Sequence, residues 1–415
     1  METTVLSDTL EGEIDMVAPL DGIKVLEVAS WLAAPSCAAL MADMGAEVIK
    51  VEPIGGDTYR RMYAAMSGED FVHPCYQFDN RGKRGICINL EDPRGAKLVH
   101  QLAADADLFI TNLTQPRLER YGLTDTDIHS IQPAIVYGVL SGYGTQGADS
   151  DRQAFDQTAF WARSGAMSVF GDREDGPLLS RGGYGDRTTA LNLLAAMLAA
   201  LRVKDQTGEG QYVEVTLQRT GIWALASDVC NALYDRLQPD KTSRTAPPHP
   251  IWNFYQTADG RWLALVMPMA TPYWPKFCTM LDRPDWRDAP HLQSLTGLME
   301  GGQALIDEVA AIFANHDLSY WRTRLDAAGL IWEPVAELPE VIEDPALRDR
   351  GAFSVIVHEQ AGAMEIVSAP FEIRGADITV RGPAPDAGQH TQEVLAAAGI
   401  EQDTLNTLLE QGVIG

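Results

Sequence analysis

The stretch 22-GIKVLEVASWLAAPSCAALMADMGAEVIKVEP-53 decides the fold. Apolar residues at Ile23, Val25, Leu26 and Val28 predict a short buried strand. "PSCAALMADMGA" then predicts a helix, with Pro35 suited to its first turn and Gly45 to its end. "EVIKVEP" is a second strand, stopped by Pro53. Strand, helix and strand at this spacing imply a right-handed βαβ crossover and a parallel sheet.

The alternation continues through "RGICINL" (strand), "PRGAKLVHQLAADA" (helix), "DLFITN" (strand) and "AIVYGVLSGYG" (strand). The expected fold is α/β, a doubly wound Rossmann-like large domain, whose ligands gather at the carboxyl ends of the strands. The first turn, "VASWLAAP", has no GxGxxG, so a dinucleotide fingerprint is absent. Glu52 ends the second strand where such folds place a ribose-binding acid; without the glycines this is read as coincidence.

Downstream, "QAFDQTAFWARSGAM" places Phe155, Ala159, Phe160 and Ala166 at roughly helical spacing. "RGGYGDRTTALNLLAAMLAALRVKDQTGEGQ", Arg181 to Gln211, reads as an Ala/Leu-rich helix and a turn. "YVEVTL" is a strand, and "QRTGIWALASDVCNALYDRL" one further helix. "IWNFYQTADGRWLALVMP" is a hairpin turning at Asp259–Gly260, and two helical segments complete a smaller α+β domain. The expected organisation is an acidic tail (1–18), a large domain (19–237), a linker (238–250), a small domain (251–340), and a return linker with a C-terminal segment packing on the large domain (341–415).

Hydrophobic residues at 46% and charged residues at 22% over 415 residues are those of a globular protein with a sizeable core. A formal charge of −26 argues against nucleic acid, which requires a basic face. No apolar run reaches the ~20 residues that span a bilayer, and the acidic N-terminus lacks the pattern of a signal peptide; a cytoplasmic location is expected. The five cysteines and eight histidines are dispersed without metal-ligand spacing, so no metal is expected.

Three features carry candidate chemistry. Asp186 stands at the mouth of the Ala/Leu-rich helix behind Gly182, Gly183 and Gly185. An aspartate there is most simply a helix cap, kept ionised by the helix dipole. The glycines also leave room for a ligand beside it, and a carboxylate in a snug cleft acts as nucleophile or base. Arg81, Lys83 and Arg84, with Arg117 and Arg120 after the "DLFITN" strand, are either a solvated face or the positive island that draws an anionic ligand. Phe155, Phe160 and Trp161 are by default core, and otherwise a substrate wall.

"PLDGIKVLEVASWLAAPSCAALMADMGAEVIKVEPIGGD", "NRGKRGICINLEDPRGAKLV", "GYGDRTTALNLLAAMLAAL", "TGEGQYVEVTL" and "PAPDAGQHTQEVLAAAGI" resemble successive blocks of the class III coenzyme A transferases. The resemblance runs from about Pro19 to the C-terminus and implies a transferase with acyl-CoA and a carboxylic acid as substrates. It implies no tightly bound cofactor and an interlocked homodimer. It places the nucleophile, which carries an aspartyl-CoA thioester, at Asp186. CoA contacts fall on Leu32, Ala33, Lys83, Asn112, Leu113 and Arg120, and the pantetheine arm on Ser141, Gly142 and Tyr143. The block "FDQTAFWARSGAM" is most similar to the branch acting on 2-hydroxy acids and their unsaturated acyl-CoAs. The chain departs from some members at Pro53, where they carry a basic residue, and at "TAPPHP", where formyl-CoA transferases carry a glycine loop. Racemases of the same fold have a histidine where this chain has Phe155, which removes one of their two proton carriers. The alternatives are a racemase or isomerase using Asp186 as base, and a non-catalytic CoA-binding protein.

Overall fold

The computed structural model describes residues 16–62, 72–241, 243 and 247–415. The predicted acidic tail therefore lies outside the described residues up to residue 15, as do residues 242 and 244–246 of the predicted linker. The chain divides into two compact units. The first holds the residues up to Ala166, Ser180–Ala226 and Leu347–Gly415, and the second holds Met167–Leu179 and Ser227–Ala346.

The first unit is built on β1 (Lys24–Val28), β2 (Glu47–Glu52), β3 (Arg84–Cys87), β4 (Leu108–Thr111), β5 (Val136–Ser141) and β6 (Gln211–Thr216). They form one parallel sheet in the order β3-β2-β1-β4-β5-β6. Strand order reverses between β1 and β4, and the crevice above their carboxyl ends is where such sheets bind ligands. Helix α1 (Ala33–Asp43) is buried along its whole length, because its Ala, Ser and Cys side chains let it lie close to the sheet. The long helix Tyr184–Thr207 packs beside it on the same face. The opposite face is covered by Pro93–Ala103, Gln115–Tyr121 and Asp125–Ile131, which share a core with Leu26, Val28, Phe109 and Tyr137. The C-terminal residues close the β3 edge: Gly85 N–H donates to His390 Nδ1, Cys87 N–H to Thr391 Oγ1, and Gly415 N–H to the Cys87 carbonyl.

Two strand residues on the α1 face are charged. Parallel register sets Glu27 of β1 directly beside Lys50 of β2. Lys50 Nζ lies 3.0 Å from Glu27 Oε1, 3.3 Å from Asp57 Oδ2 and 3.1 Å from the Ala29 carbonyl. Lys83 Nζ, also buried, lies 2.7 Å from Glu27 Oε2 and donates to the carbonyls of Pro35 and Asp79. One carboxylate thus serves two buried ammonium groups.

The second unit has a three-stranded antiparallel sheet, Trp252–Gln256, Trp262–Val266 and Trp332–Pro334, with the hairpin turning at Gly260 in the left-handed region (φ +78°). Its core gathers Trp274, Phe277, Phe313, Trp321 and Leu325. Three local expectations change. The stretch read as one helix after β6 breaks at Leu225, leaving Leu217–Ala224 and Ala226–Asp235. The segment after Phe155 winds as a π-helix over Gln157–Ala162. Short helices at Pro74–Asn80, Gln115–Tyr121 and Asp125–Ile131 were not predicted; each spans too few turns for apolar periodicity to announce it. No described helix is long and apolar enough to cross a membrane.

Removing one member of a buried charged cluster leaves a charge without compensation. Glu27→Ala is expected to destabilise the protein by about 3–5 kcal/mol. Arg84→Ala, which breaks half-exposed pairs with Glu47 and Glu393, is expected to cost less than about 1 kcal/mol. Equal losses on urea denaturation would show that Glu27 is not the keystone of the cluster.

Candidate active site

The carboxyl ends of β1, β4 and β5 enclose a cleft of about 380 Å³. Its walls include Leu32, Ala33, Asn112, Leu113, Ser141, Gly142, Tyr143, Phe155 and Asp186. A second cavity of about 430 Å³ lies over the ends of β1, β2 and β3 and shares Ser30, Pro53, Leu113 and Arg117 with the first.

The turn after β1 is held from two sides. Asn112 clamps Ser30, accepting its N–H at 3.0 Å and donating to its carbonyl at 2.7 Å. Trp31 stands in the left-handed region (φ +68°), a conformation disfavoured for a bulky side chain. Its N–H donates to Asp57 Oδ2 at 3.1 Å. Its ring meets Phe155 edge-on, centroids 5.5 Å apart.

Asp186 is the third residue of its helix, not the cap. The N-cap is Gly183, in the left-handed region with φ +91°. The capping carboxylate comes instead from Asp156, which is buried and accepts the Gly185 N–H at 3.2 Å. A Cβ on residue 185 would collide with Phe160 and with Asp156 itself, so the glycine is what lets the helix end seat on the π-helix. No side chain among the described residues donates to the Asp186 carboxylate, and Arg187, next in sequence, is turned to Asp79 (Nη2 to Oδ2, 2.9 Å). Burial pushes the Asp186 carboxyl up to about 7, the Asp156 charge adds to the rise, and Arg187 opposes it. The expected effect of the helix dipole, a carboxylate held ionised, is therefore reversed by desolvation.

The structure relocates several predicted contacts. Lys83 does not reach the cleft; its ammonium is spent on Glu27 and backbone carbonyls. Arg81 is buried against Asp43, and Arg84 pairs with Glu47 and Glu393, so "NRGKRG" is not an open positive island. Arg120 pairs with Glu91, while Arg117 on the same helix faces both cavities. Phe160 and Trp161 are buried under Tyr184, leaving Phe155 as the aromatic of that set on the cleft wall. Glu52 is consumed by a bidentate pair with Arg60 and the Tyr76 hydroxyl, consistent with a structural role. Asp156 and Trp31 were missed; the only signal was a lone acid inside an apolar segment and a bulky residue in a turn of small ones.

The family model described as CoA-transferase family III matches residues 20–391. The (R)-2-hydroxy-4-methylpentanoate CoA-transferase of Clostridioides difficile is 30% identical over 397 residues, 95% of this chain and 99% of that one. The cinnamoyl-CoA:phenyllactate CoA-transferase of Clostridium sporogenes is 27% identical over 407 residues, covering 93% and 95%. Among solved structures, a CAIB/BAIF family protein from Brucella suis superposes with a TM-score of 0.81 at 24% identity, covering 92% of this chain and all of that one. The chain belongs to CoA-transferase family III and is an enzyme of that class.

A carboxylate near neutrality gains activity as it ionises, so kcat/KM is expected to rise with pH through a midpoint near 7. Asp156→Asn keeps an oxygen to accept the Gly185 N–H but removes the charge. The midpoint is then expected to fall by about one pH unit. An unmoved pH profile would show that Asp156 acts on Asp186 only through the backbone.

Proposed function

We propose that the protein moves CoA from an acyl-CoA to a carboxylic acid through a covalent aspartyl-CoA thioester on Asp186. The observation that carries this reading is the position of that carboxylate. It lines the cleft at the strand ends, half-buried, relieved of capping by Asp156 and without a side-chain donor among the described residues.

The steps balance without water or net proton transfer. An Asp186 oxygen attacks the thioester carbonyl, the C–S bond breaks, and CoA leaves as thiolate with a mixed anhydride behind it. The thiolate then attacks the aspartyl carbonyl and expels the donor acid as its carboxylate. The acceptor carboxylate attacks the aspartyl thioester, releasing thiolate again. The thiolate finally takes the acceptor acyl group and restores Asp186. Desolvation and fixed geometry raise the effective molarity of a nucleophile that is weak in water.

The acids we propose are aryl or branched 2-hydroxy and enoic acids. Trp31 and Phe155 present an edge-to-face aromatic wall on the cleft, and relatives named for such acids match over nearly their whole length. A homodimer is part of the same proposal. Helix Ala226–Asp235 buries none of its own residues and leaves Leu233 and Tyr234 exposed, a face suited to a second copy; sedimentation at the monomer mass would oppose it.

Incubation with cinnamoyl-, succinyl- or acetyl-CoA and hydroxylamine is expected to leave a hydroxamate on the peptide carrying Asp186. Asp186→Ala is expected to lose at least about 10³-fold in transfer while staying folded. Turnover without that adduct would remove the covalent route, and deuterium wash-in at the α-carbon without CoA exchange would favour a racemase.

A further inference from the structure

We propose that Arg117 is the cation that receives the pyrophosphate of the CoA substrate; the assignment rests on the CoA-transfer reading and adds to it. A highly acidic chain must offer this ligand a local positive charge, and most of its candidates are already engaged. Arg60 is held by Glu52, Arg81 by Asp43, Lys83 by Glu27, Arg84 by Glu47 and Glu393, and Arg120 by Glu91. Arg117 has no carboxylate partner among the described residues. Its guanidinium lies 5.7 Å from the Tyr121 ring centroid, a contact that orients it and leaves its N–H donors free.

Its position matters as much as its freedom. Arg117 is one of four residues common to both cavities, and it is the charged one of the four. Asp186 marks the reacting end of one cavity, so the thioester of a long substrate lies there. The other cavity is then the place for the nucleoside, and the linking phosphates pass the shared wall. A planar guanidinium with several donors suits two adjoining phosphates, each taking charge-assisted hydrogen bonds. Arg152, the other arginine of the first cavity, is tied to Asp149 at 3.4 Å and lies over the Tyr143 ring, away from that wall.

The test uses the full-length protein and compares wild type with Arg117→Met, Arg117→Lys and, as a control in the second unit where Arg261 pairs with Glu340, Arg261→Met. Acyl-CoA, its 3′-dephospho form and the acyl-pantetheine thioester serve as donors. Arg117→Met is expected to raise KM for acyl-CoA roughly 10- to 100-fold, with kcat within about threefold. The same loss is expected with the dephospho donor and none with acyl-pantetheine, which has no phosphate. Arg117→Lys is expected to recover part of the affinity, and Arg261→Met to stay within about twofold of wild type. An unchanged KM in Arg117→Met overturns the assignment. A loss that persists with acyl-pantetheine also overturns it, and a loss confined to the donor bearing the 3′-phosphate moves the contact to that group. If wild-type protein neither binds CoA by calorimetry nor exchanges it, the transferase reading fails instead.

Discussion

One buried carboxylate, Glu27, sets the conditions for everything above it. It pairs with both Lys50 and Lys83, three charges with no exposed side-chain surface against one face of a parallel sheet, and Asp57 supplies the second negative charge beside Lys50. Burial pulls Lys83 down to about 8 even with Glu27 beside it, a measure of how dry the site is. Lys50 moves the other way, upward, because Glu27, Asp57 and Glu52 together outweigh its desolvation. Such a cluster contributes less to stability than a hydrophobic replacement of equal volume often would. Its contribution is positional. Lys50 holds the Ala29 carbonyl and lies beside Asp57, which holds the Trp31 N–H, so the cluster fixes the turn that forms the cleft wall. Lys83 ties the same carboxylate to the first turn of α1 through the Pro35 carbonyl.

The cleft carboxylate, Asp186, is tuned by a division of labour between two acids. A residue in the first turn of a helix ordinarily answers the unpaired backbone N–H groups there. Here Asp156 does so from a different segment, and Asp186 is left for the cleft. The arrangement also brings two carboxylates into electrostatic contact, so the helix end that stabilises one anion raises the cost of the second. Arg187 relieves part of that cost, but Asp79, which also accepts the Ser36 Oγ hydrogen bond at 2.7 Å, draws its guanidinium to the α1 side. The result is a weakly solvated carboxylate near neutrality, the character that the proposed nucleophile requires.

The fold was legible because its signals are local. Apolar runs of strand length, a Pro inside the first turn and a Gly past the end of α1 announce βαβ without any knowledge of the rest. The place of Asp186 at a helix mouth was legible for the same reason, through the glycines before it, though not that another acid would do the capping. What the sequence hid were relations between distant residues. Glu27 and Lys50 each read as a stray charge in an apolar strand, and only the register makes them a pair. Arg81 and Lys83 read as part of an open basic island, yet both are buried, Arg81 against Asp43 of α1 and Lys83 against Glu27. Arg117 and Arg120 lie one helical turn apart, and the choice between cleft and ion pair is made by Glu91, from the loop after β3. The Asp156 cap lies 29 residues before the Gly185 N–H that donates to it, whereas cap signals in sequence span three or four.

The same geometry bears on the choice between group transfer and proton transfer at one carboxylate. A racemase must take a proton from one face of the α-carbon and return one to the other, which requires two carriers in reach. Among the described residues lining the Asp186 cleft there is no histidine, lysine or second acid. The Phe155 ring on the cleft wall is packed edge-on against Trp31 and carries no exchangeable proton. Asp156, the nearest other acid, is buried at the helix end and bonded to the backbone, so it tunes Asp186 without facing the substrate. Group transfer through an anhydride needs neither carrier. It needs one desolvated carboxylate, a hold on the CoA far from the reacting carbon, and space for an acyl group, the roles proposed for Asp186, Arg117 and the cleft between them within a single α/β unit.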